Sequence, residues 1–297
     1  EADIALGMMH YSGCLVALGA PRAGHHTRTI ASLRGPASEH IRRFETGNAH
    51  IAFLRRAVSQ TTAAADRILA PSQGTADDHC LHFQASVERT VVIPNGIDAA
   101  ATRYAAASPA DGLEHLPAGI PLLCTAARLS IEKNVALLIT ALARVQQSMP
   151  CALILVGDGP ARDSLKRQVA DLGLSERVIF VGHQSNAFPY MRAADIYIHT
   201  CVLEGFGYSM LEALACGTPV IATDCPHGPR EVLSGGKSGV LVPPDDPVAL
   251  ATAIVDLLSD TERRARLKAI GLQRADELSI ERMVLGHQRV FEQLFKG

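Results

Sequence analysis

Tryptophan is absent from this chain, and aromatic residues of all kinds make up only 4% of its 297 positions. A core here must be aliphatic, and Leu, Val, Ile and Ala are plentiful enough for two α/β domains of ordinary size. A surplus of either charge is also missing. Lys and Arg number 28 against 30 Asp and Glu, a formal charge of −2. Nucleic-acid binders normally carry a basic excess, so no nucleic-acid partner is expected. No apolar run approaches the ~20 residues of a membrane span, and no segment reads as a signal peptide. The seven cysteines are scattered, odd in number, and form no C-x-x-C pair or His/Cys ligand cluster. They read as free thiols in a reducing compartment, with no bound metal expected. These absences fit a cytoplasmic enzyme and leave peripheral contact with the inner membrane surface open. An initiator Met is lacking too: the chain opens Glu1-Ala2-Asp3-Ile4, already inside a predicted strand. A processed chain, or a piece of a longer gene, is the expectation.

What is present alternates regularly. Residues 3–20 predict a short strand and an Ala/Leu-rich helix, 27–33 a strand and 51–65 a helix. Short strands follow at 67–71 and 89–94, the latter closed by the turn Pro94-Asn95-Gly96. Residues 99–119 are rich in Ala, Pro and Gly and read as a linker between a first domain, 1–98, and a second, 120–278. In the second domain strands are predicted at 120–127, 152–157, 178–182, 196–200, 219–223 and 239–242. Helices lie between them, one with Val135, Leu138, Leu142, Val145 and Met149 at helical spacing. Asp246 before Pro247, and Asp260, read as N-caps. A terminal helix at 279–297, with an apolar face of Ile280, Val284, Phe291 and Leu294, is a candidate to cross back to the first domain. The alternation predicts an α/β fold with parallel, doubly wound sheets and ligands at the carboxyl ends of the strands.

The stretch Glu204 to Glu212, E-G-F-G-Y-S-M-L-E, is the richest in chemistry. A Gly-x-Gly turn opening a helix offers backbone N–H groups and a positive helix end to a phosphate. The two carboxylates add acceptors for sugar hydroxyls, Glu212 for a ribose and Glu204 for a hexose. A glycosidase pair would have to flank one bond; a loop Glu and a helical Glu contact different parts of one ligand instead. Arg128 follows a strand and Lys133 lies five positions on, a fork and a mobile point charge suited to a diphosphate. Gly157-Asp158-Gly159 follows a strand, but Arg162 replaces the third Gly of a dinucleotide fingerprint, so the fingerprint fails. A tight turn near a nucleotide remains. The loop Cys225 to Glu231 either lines a donor-sugar pocket or stiffens the fold.

These motifs resemble the GT-B-fold glycosyltransferases of family 4, the glycosyl transferases group 1. The resemblance runs from about residue 70 to 255, through A-P-S-Q-G-T, V-I-P-N-G-I-D, A-A-R-L-S-I-E-K-N, L-V-G-D-G-P, V-I-F-V-G-H, E-G-F-G-Y-S-M-L-E-A-L-A-C-G-T-P-V-I-A-T-D and G-V-L-V-P. It implies two Rossmann-like domains facing a cleft, the first one incomplete. It also implies retaining, metal-independent transfer of a hexose or N-acetylhexosamine to a glycan or lipid-linked acceptor. The donor would be a nucleotide-diphosphate sugar, a UDP-sugar ahead of GDP-mannose, acting as co-substrate with no further cofactor. By matched motif Arg128 and Lys133 would hold the donor diphosphate, Glu204 the sugar and Glu212 the ribose. The amides of Phe206 and Gly207 would hold the distal phosphate, and Gly157 and Gly159 the turn beside it. Members of the family usually open with a strand and a Gly-rich loop, which are missing here, and carry a His where this chain has Ser32-Leu33-Arg34-Gly35. Arg34 and His10 are therefore the acceptor-side candidates. The competing readings are a donor-binding but inactive fragment, a sugar-nucleotide epimerase and a nicotinamide-dependent oxidoreductase.

Overall fold

The run Ala152–Val156 (A-L-I-L-V) is apolar at every position, and a strand of that kind is stable only with both faces covered. The computed structural model describes residues 2–20, 26–114, 116–117 and 119–296, with His10 described by its backbone alone. In it that strand is an inner strand of a six-stranded parallel sheet. The first sheet contains β1 (Ile4–Met8), β2 (Arg28–Ser32), β3 (Arg67–Ala70) and β4 (Thr90–Val92), in the order β1-β2-β3-β4. The second contains β5 (Leu122–Ala126), β6 (Ala152–Val156), β7 (Val178–Gly182), β8 (Ile196–His199), β9 (Val220–Thr223) and β10 (Val240–Val242). Its order is β10-β9-β8-β5-β6-β7, every neighbouring pair being parallel. The expected α/β class, with two parallel-sheet domains, is what the structure contains.

The period of two along each strand sorts the second core into two layers. Leu123, Leu153, Leu155, Ile198 and Ile221 pack on one face, with the helix Val135–Val145 and the helix Pro247–Ser259. Cys124, Ile154, Tyr197, Val220 and Ala222 pack on the other, with the helix Tyr208–Ala215. Asp246 and Asp260 cap their helices, accepting from Val248 N and Ala249 N at 2.9 Å and from Arg263 N at 2.8 Å. Because the strand order reverses between β5 and β8, the loops leaving these two neighbours diverge to opposite faces. That divergence opens a crevice at their carboxyl ends.

Two stretches gain detail. The stretch read as a linker contains the helix Ala99–Ala105, capped by Asp98 and joined to the second domain by a 2.9 Å bond from Asn186 Nδ2 to the Ala105 carbonyl. Its alanines gave no strong periodic signal because it buries only one short side, Ala99 and Thr102. The terminal helix Ile280–Lys296 packs on the first sheet through the later half of the expected face, Phe291 and Leu294, joined by Val290. Val290 and Leu294 sit on Ile30, Leu69 and Ile93 at 3% and 6% exposure, whereas Ile280 and Val284 are 36% and 45% exposed. The chain crosses between the domains twice at one place. Ile97 N donates to Leu278 O at 2.9 Å and Ile280 N to Ile97 O at 3.1 Å, and Gly96 has no room for a Cβ against the Ser279 carbonyl. Among the described residues no helix is long and apolar enough to cross a membrane.

Candidate functional site

The carboxyl ends of both sheets face each other. After β2, the loop through Arg34 and Gly35 abuts Gly205 so closely that a Cβ on Gly205 would collide with the Arg34 carbonyl. After β3, Ser72 Oγ donates to Gly205 O at 2.7 Å, and the amides of Gln73 and Gly74 donate to the Glu231 carboxylate at 2.8 and 2.9 Å. After β4, the Tyr208 hydroxyl bonds the Gly96 carbonyl. These contacts leave two adjoining cavities that share Arg128.

One cavity, about 470 Å³, lies within the second domain between the ends of β5, β6 and β7, with Gly157, Asp158, His183, Gln184 and Glu212 in its walls. The other, about 440 Å³, lies between the domains, with Arg34, His40, Ser130, Lys133 and Glu204 in its walls. Arg128 is exposed and makes no side-chain hydrogen bond among the described residues, so its guanidinium is available to both.

Lys133 ends a 3-10 turn, Ile131–Lys133, rather than opening an α-helix; the helix starts at Val135. Its carbonyl accepts from Thr200 Oγ1 at 2.9 Å, and its Nζ lies 2.7 Å from Glu204 Oε2. Burial alone would lower the Lys133 ammonium, but the Cys201 sulfur and the Glu204 carboxylate outweigh it and hold the group above its ordinary value. The loop 225–231 fastens the backbone of Glu204. Glu204 N donates to Pro226 O, and His227 N donates to Glu204 O, each at 2.9 Å. Glu204 Oε1 accepts from Gly205 N at 3.1 Å, which sets the plane of the carboxylate. Burial would raise this carboxyl; the His199 ring and the Lys133 ammonium beside it instead hold it well below the usual range.

Glu212 stands in the opposite situation. It projects from the helix Tyr208–Ala215 into the first cavity with no hydrogen bond to its side chain among the described residues, and burial pushes its carboxyl up. An unpartnered, partly dehydrated carboxylate is a strong acceptor for paired hydroxyls. Phe206 is buried, and Gly207 takes φ +97 at the head of that helix. The amides of both make no hydrogen bond among the described residues.

Gly157 and Gly159 serve mainly the backbone. A Cβ on either would strike the carbonyl of Ala127 or Leu129, and Leu129 N donates to Asp158 O at 2.9 Å. Their close approach positions the loop that carries Arg128, and only Gly157 lines the cavity. Arg34 borders the interdomain cavity and donates to Asn95 Oδ1 at 3.2 Å. The side chain of His10 lies outside the described residues.

Sequence reasoning missed three residues at or beside the site. His40 comes from the unforeseen helix Ala37–Phe44 into the cleft. His199 and Cys201 come from the end of β8 and gather with Glu204, their ligand atoms all lying within 4.8 Å of one another. Burial would lower the His199 imidazole, but Cys201 and Glu204 push it up to about 9. The spacing His-x-Cys-x-x-Glu at the end of a strand was the available signal.

Comparison with known proteins follows the same lines. The family described as glycosyl transferases group 1 matches residues 114–274, and that described as glycosyltransferase family 4 matches residues 2–101. A Campylobacter jejuni N-acetylgalactosamine-N,N'-diacetylbacillosaminyl-diphospho-undecaprenol 4-alpha-N-acetylgalactosaminyltransferase is 30% identical over 74% of the chain and 59% of its own length. A GDP-mannose-dependent alpha-(1-6)-phosphatidylinositol monomannoside mannosyltransferase of Mycolicibacterium smegmatis is 34% identical over 57% of the chain and 53% of its own length. The chain thus spans between half and three-fifths of the length of these curated relatives. Among solved structures, Anabaena Alr3699/HepE in complex with UDP superposes with a TM-score of 0.83 at 25% identity, covering 99% of this chain and 79% of that one.

Proposed function

Starting from a chain that belongs to the glycosyl transferases group 1 family, with the GT-B fold, we propose that it transfers a sugar from a nucleotide-diphosphate donor to a hydroxyl of a glycan or lipid-linked acceptor. The observation that carries this reading is the sharing of Arg128 by two cavities, one ending at the unpartnered Glu212 and the other at the Lys133–Glu204 pair. The nucleoside occupies the first cavity, with its ribose hydroxyls on Glu212. The diphosphate lies across Arg128, Lys133 and the amides of Phe206 and Gly207. The hexose or N-acetylhexosamine rests on Glu204, and the acceptor enters between the domains past Arg34 and His40.

The same geometry supports retention. Glu204 is already engaged by Lys133 and fastened by Gly205 N, so it orients the sugar and does not attack it. The bond from the anomeric carbon to the phosphate oxygen breaks and the acceptor oxygen bonds to that carbon from the same face. The acceptor proton passes to a phosphate oxygen of the departing diphosphate. Arg128 and Lys133 neutralise the growing negative charge, which a bound metal would otherwise do. A UDP-sugar is the favoured donor, in keeping with the UDP held by the Anabaena structure; GDP-mannose is the second candidate, as in the name of the Mycolicibacterium relative. Any membrane association would be peripheral, on the inner surface where lipid-linked acceptors lie.

The test is a binding titration with UDP, GDP, ADP and NAD, repeated on Glu212→Ala. Selective binding of UDP or GDP that is lost in the variant supports the reading and names the base. Binding of NAD alone overturns it.

A further inference from the structure

His199 and Cys201 take no part in the transfer argued above, yet they stand beside its central carboxylate. His199 Nε2 is buried, makes no hydrogen bond among the described residues, and lies 3.5 Å from Glu204 Oε2. Cys201 Sγ, also buried, lies 3.6 Å from the same oxygen. A tetrahedral zinc ion with ordinary bond lengths holds its nitrogen and oxygen ligands about 3.4 Å apart, and its sulfur and oxygen ligands about 3.6 Å apart. Both separations to Oε2 already match such a shell, and Nε2 and Sγ lie within 4.8 Å of each other. The nitrogen and thiol donors select a thiophilic ion over magnesium or calcium. Glu204 also lines the interdomain cavity.

We propose that His199, Cys201 and Glu204 form a binding site for a divalent ion of the zinc class, and that such an ion competes with Lys133 for Glu204. The competition follows from geometry. Lys133 Nζ sits 2.7 Å from Oε2, the oxygen that the ion needs, and two positive charges about that one oxygen repel each other. Occupation therefore displaces the lysine from the pair, and the ion acts as an inhibitor of the site, not as its cofactor. Only this last consequence rests on the glycosyltransferase reading; binding itself does not.

Cobalt(II) is the probe, because a cobalt–thiolate bond gives a near-ultraviolet charge-transfer band and tetrahedral cobalt gives intense visible bands. Imidazole and thiol ligands bind an ion in their deprotonated forms, so the reduced chain is titrated at mildly alkaline pH, and zinc is then added to compete. The wild type should bind one ion with the thiolate band, Cys201→Ser should lose the band and bind at least tenfold more weakly, and Lys133→Ala should bind about tenfold more tightly. The gain in Lys133→Ala cannot come from misfolding. A thiolate band that persists in Cys201→Ser places the ion on other cysteines and overturns the proposal. So does an affinity that Lys133→Ala leaves unchanged, or no band in the wild type. None of these readouts needs turnover, so a failure here is distinct from a failure of the transferase assignment.

Discussion

Lys133 Nζ and Glu204 Oε2 meet at 2.7 Å although 71 positions separate them in the chain. The loops that carry them leave β5 and β8, the neighbouring strands at which the sheet order reverses. A cation and an anion so close neutralise each other at rest. The ammonium still has two further protons for a phosphate, and the carboxylate has a second oxygen for a hydroxyl.

Lys133→Ala should act on the chemical step. Removal of a preorganised donor to developing charge typically costs about 2.7–4 kcal/mol, a hundred- to a thousandfold in kcat. Donor turnover with and without acceptor measures it, and a kcat unchanged from wild type would exclude Lys133 from the reaction.

Glu212→Ala should act on binding. Hydrogen bonds to a charged group contribute about 1.5–3 kcal/mol each, so the Kd for the nucleoside diphosphate should rise at least tenfold. Calorimetric titration reads this directly, and equal affinity would remove Glu212 from the ribose site.

The same residue makes stability depend on pH. Burial raises the Glu212 carboxyl in the folded chain, so the native state holds its proton more tightly than the unfolded one. At acidic pH, where both states are protonated, there is no penalty; as pH rises past the ordinary carboxylate range, the folded protein bears the cost of a buried charge. Glu212→Gln should therefore melt higher than wild type at pH 7 and about equal to it near pH 4. A variant that melts lower at pH 7 would contradict this.

Glu231→Ala should loosen the cleft without touching the nucleotide. Glu231 accepts from Gln73 N and Gly74 N at the head of the helix Gln73–Phe83, a contact across the domains of about 1–2 kcal/mol in favourable geometry. Small-angle scattering should show a larger radius of gyration, while the Kd for nucleotide stays within about twofold. An unchanged scattering profile would mean that the other contacts suffice.

Leu294→Ala should destabilise the chain by about 2–5 kcal/mol, the usual range for a buried Leu truncated in a core, since Leu294 packs with Val290 on Ile30, Leu69 and Ile93. Truncation of the exposed Val284 should cost much less. Chemical denaturation of the two variants compares them, and equal losses would refute the placement of the helix face.

The strands, most helices and the two helix caps were legible because their causes are local. A fully apolar five-residue run such as Ala152–Val156, or an Asp before Pro247, carries its own hydrogen-bonding and burial logic. The helix Ala99–Ala105 escaped because a short run of alanines has little periodicity, and its one-sided burial exists only against the second domain. Of the candidate residues, Arg128, Lys133, Glu204 and Glu212 stood out through spacing within recognisable motifs, and the fold gathers all four around adjoining cavities. Gly159 stood out for the same reason, yet it supports Leu129 from behind.

By itself the sequence determined the class of fold, the alternation of its elements and the types of group presented at the ends of the strands. Burial period, turn chemistry and capping act over a few residues, so they can be read along the chain. Only the tertiary structure decided which of those groups meet: Lys133 with Glu204, Gly205 with Arg34, His199 and Cys201 beside one carboxylate, and the Val290–Leu294 face of the last helix against the first sheet. Those pairings depend on the order of the strands and on how two domains close on each other, and that order arises from long-range packing rather than from any local stretch of residues.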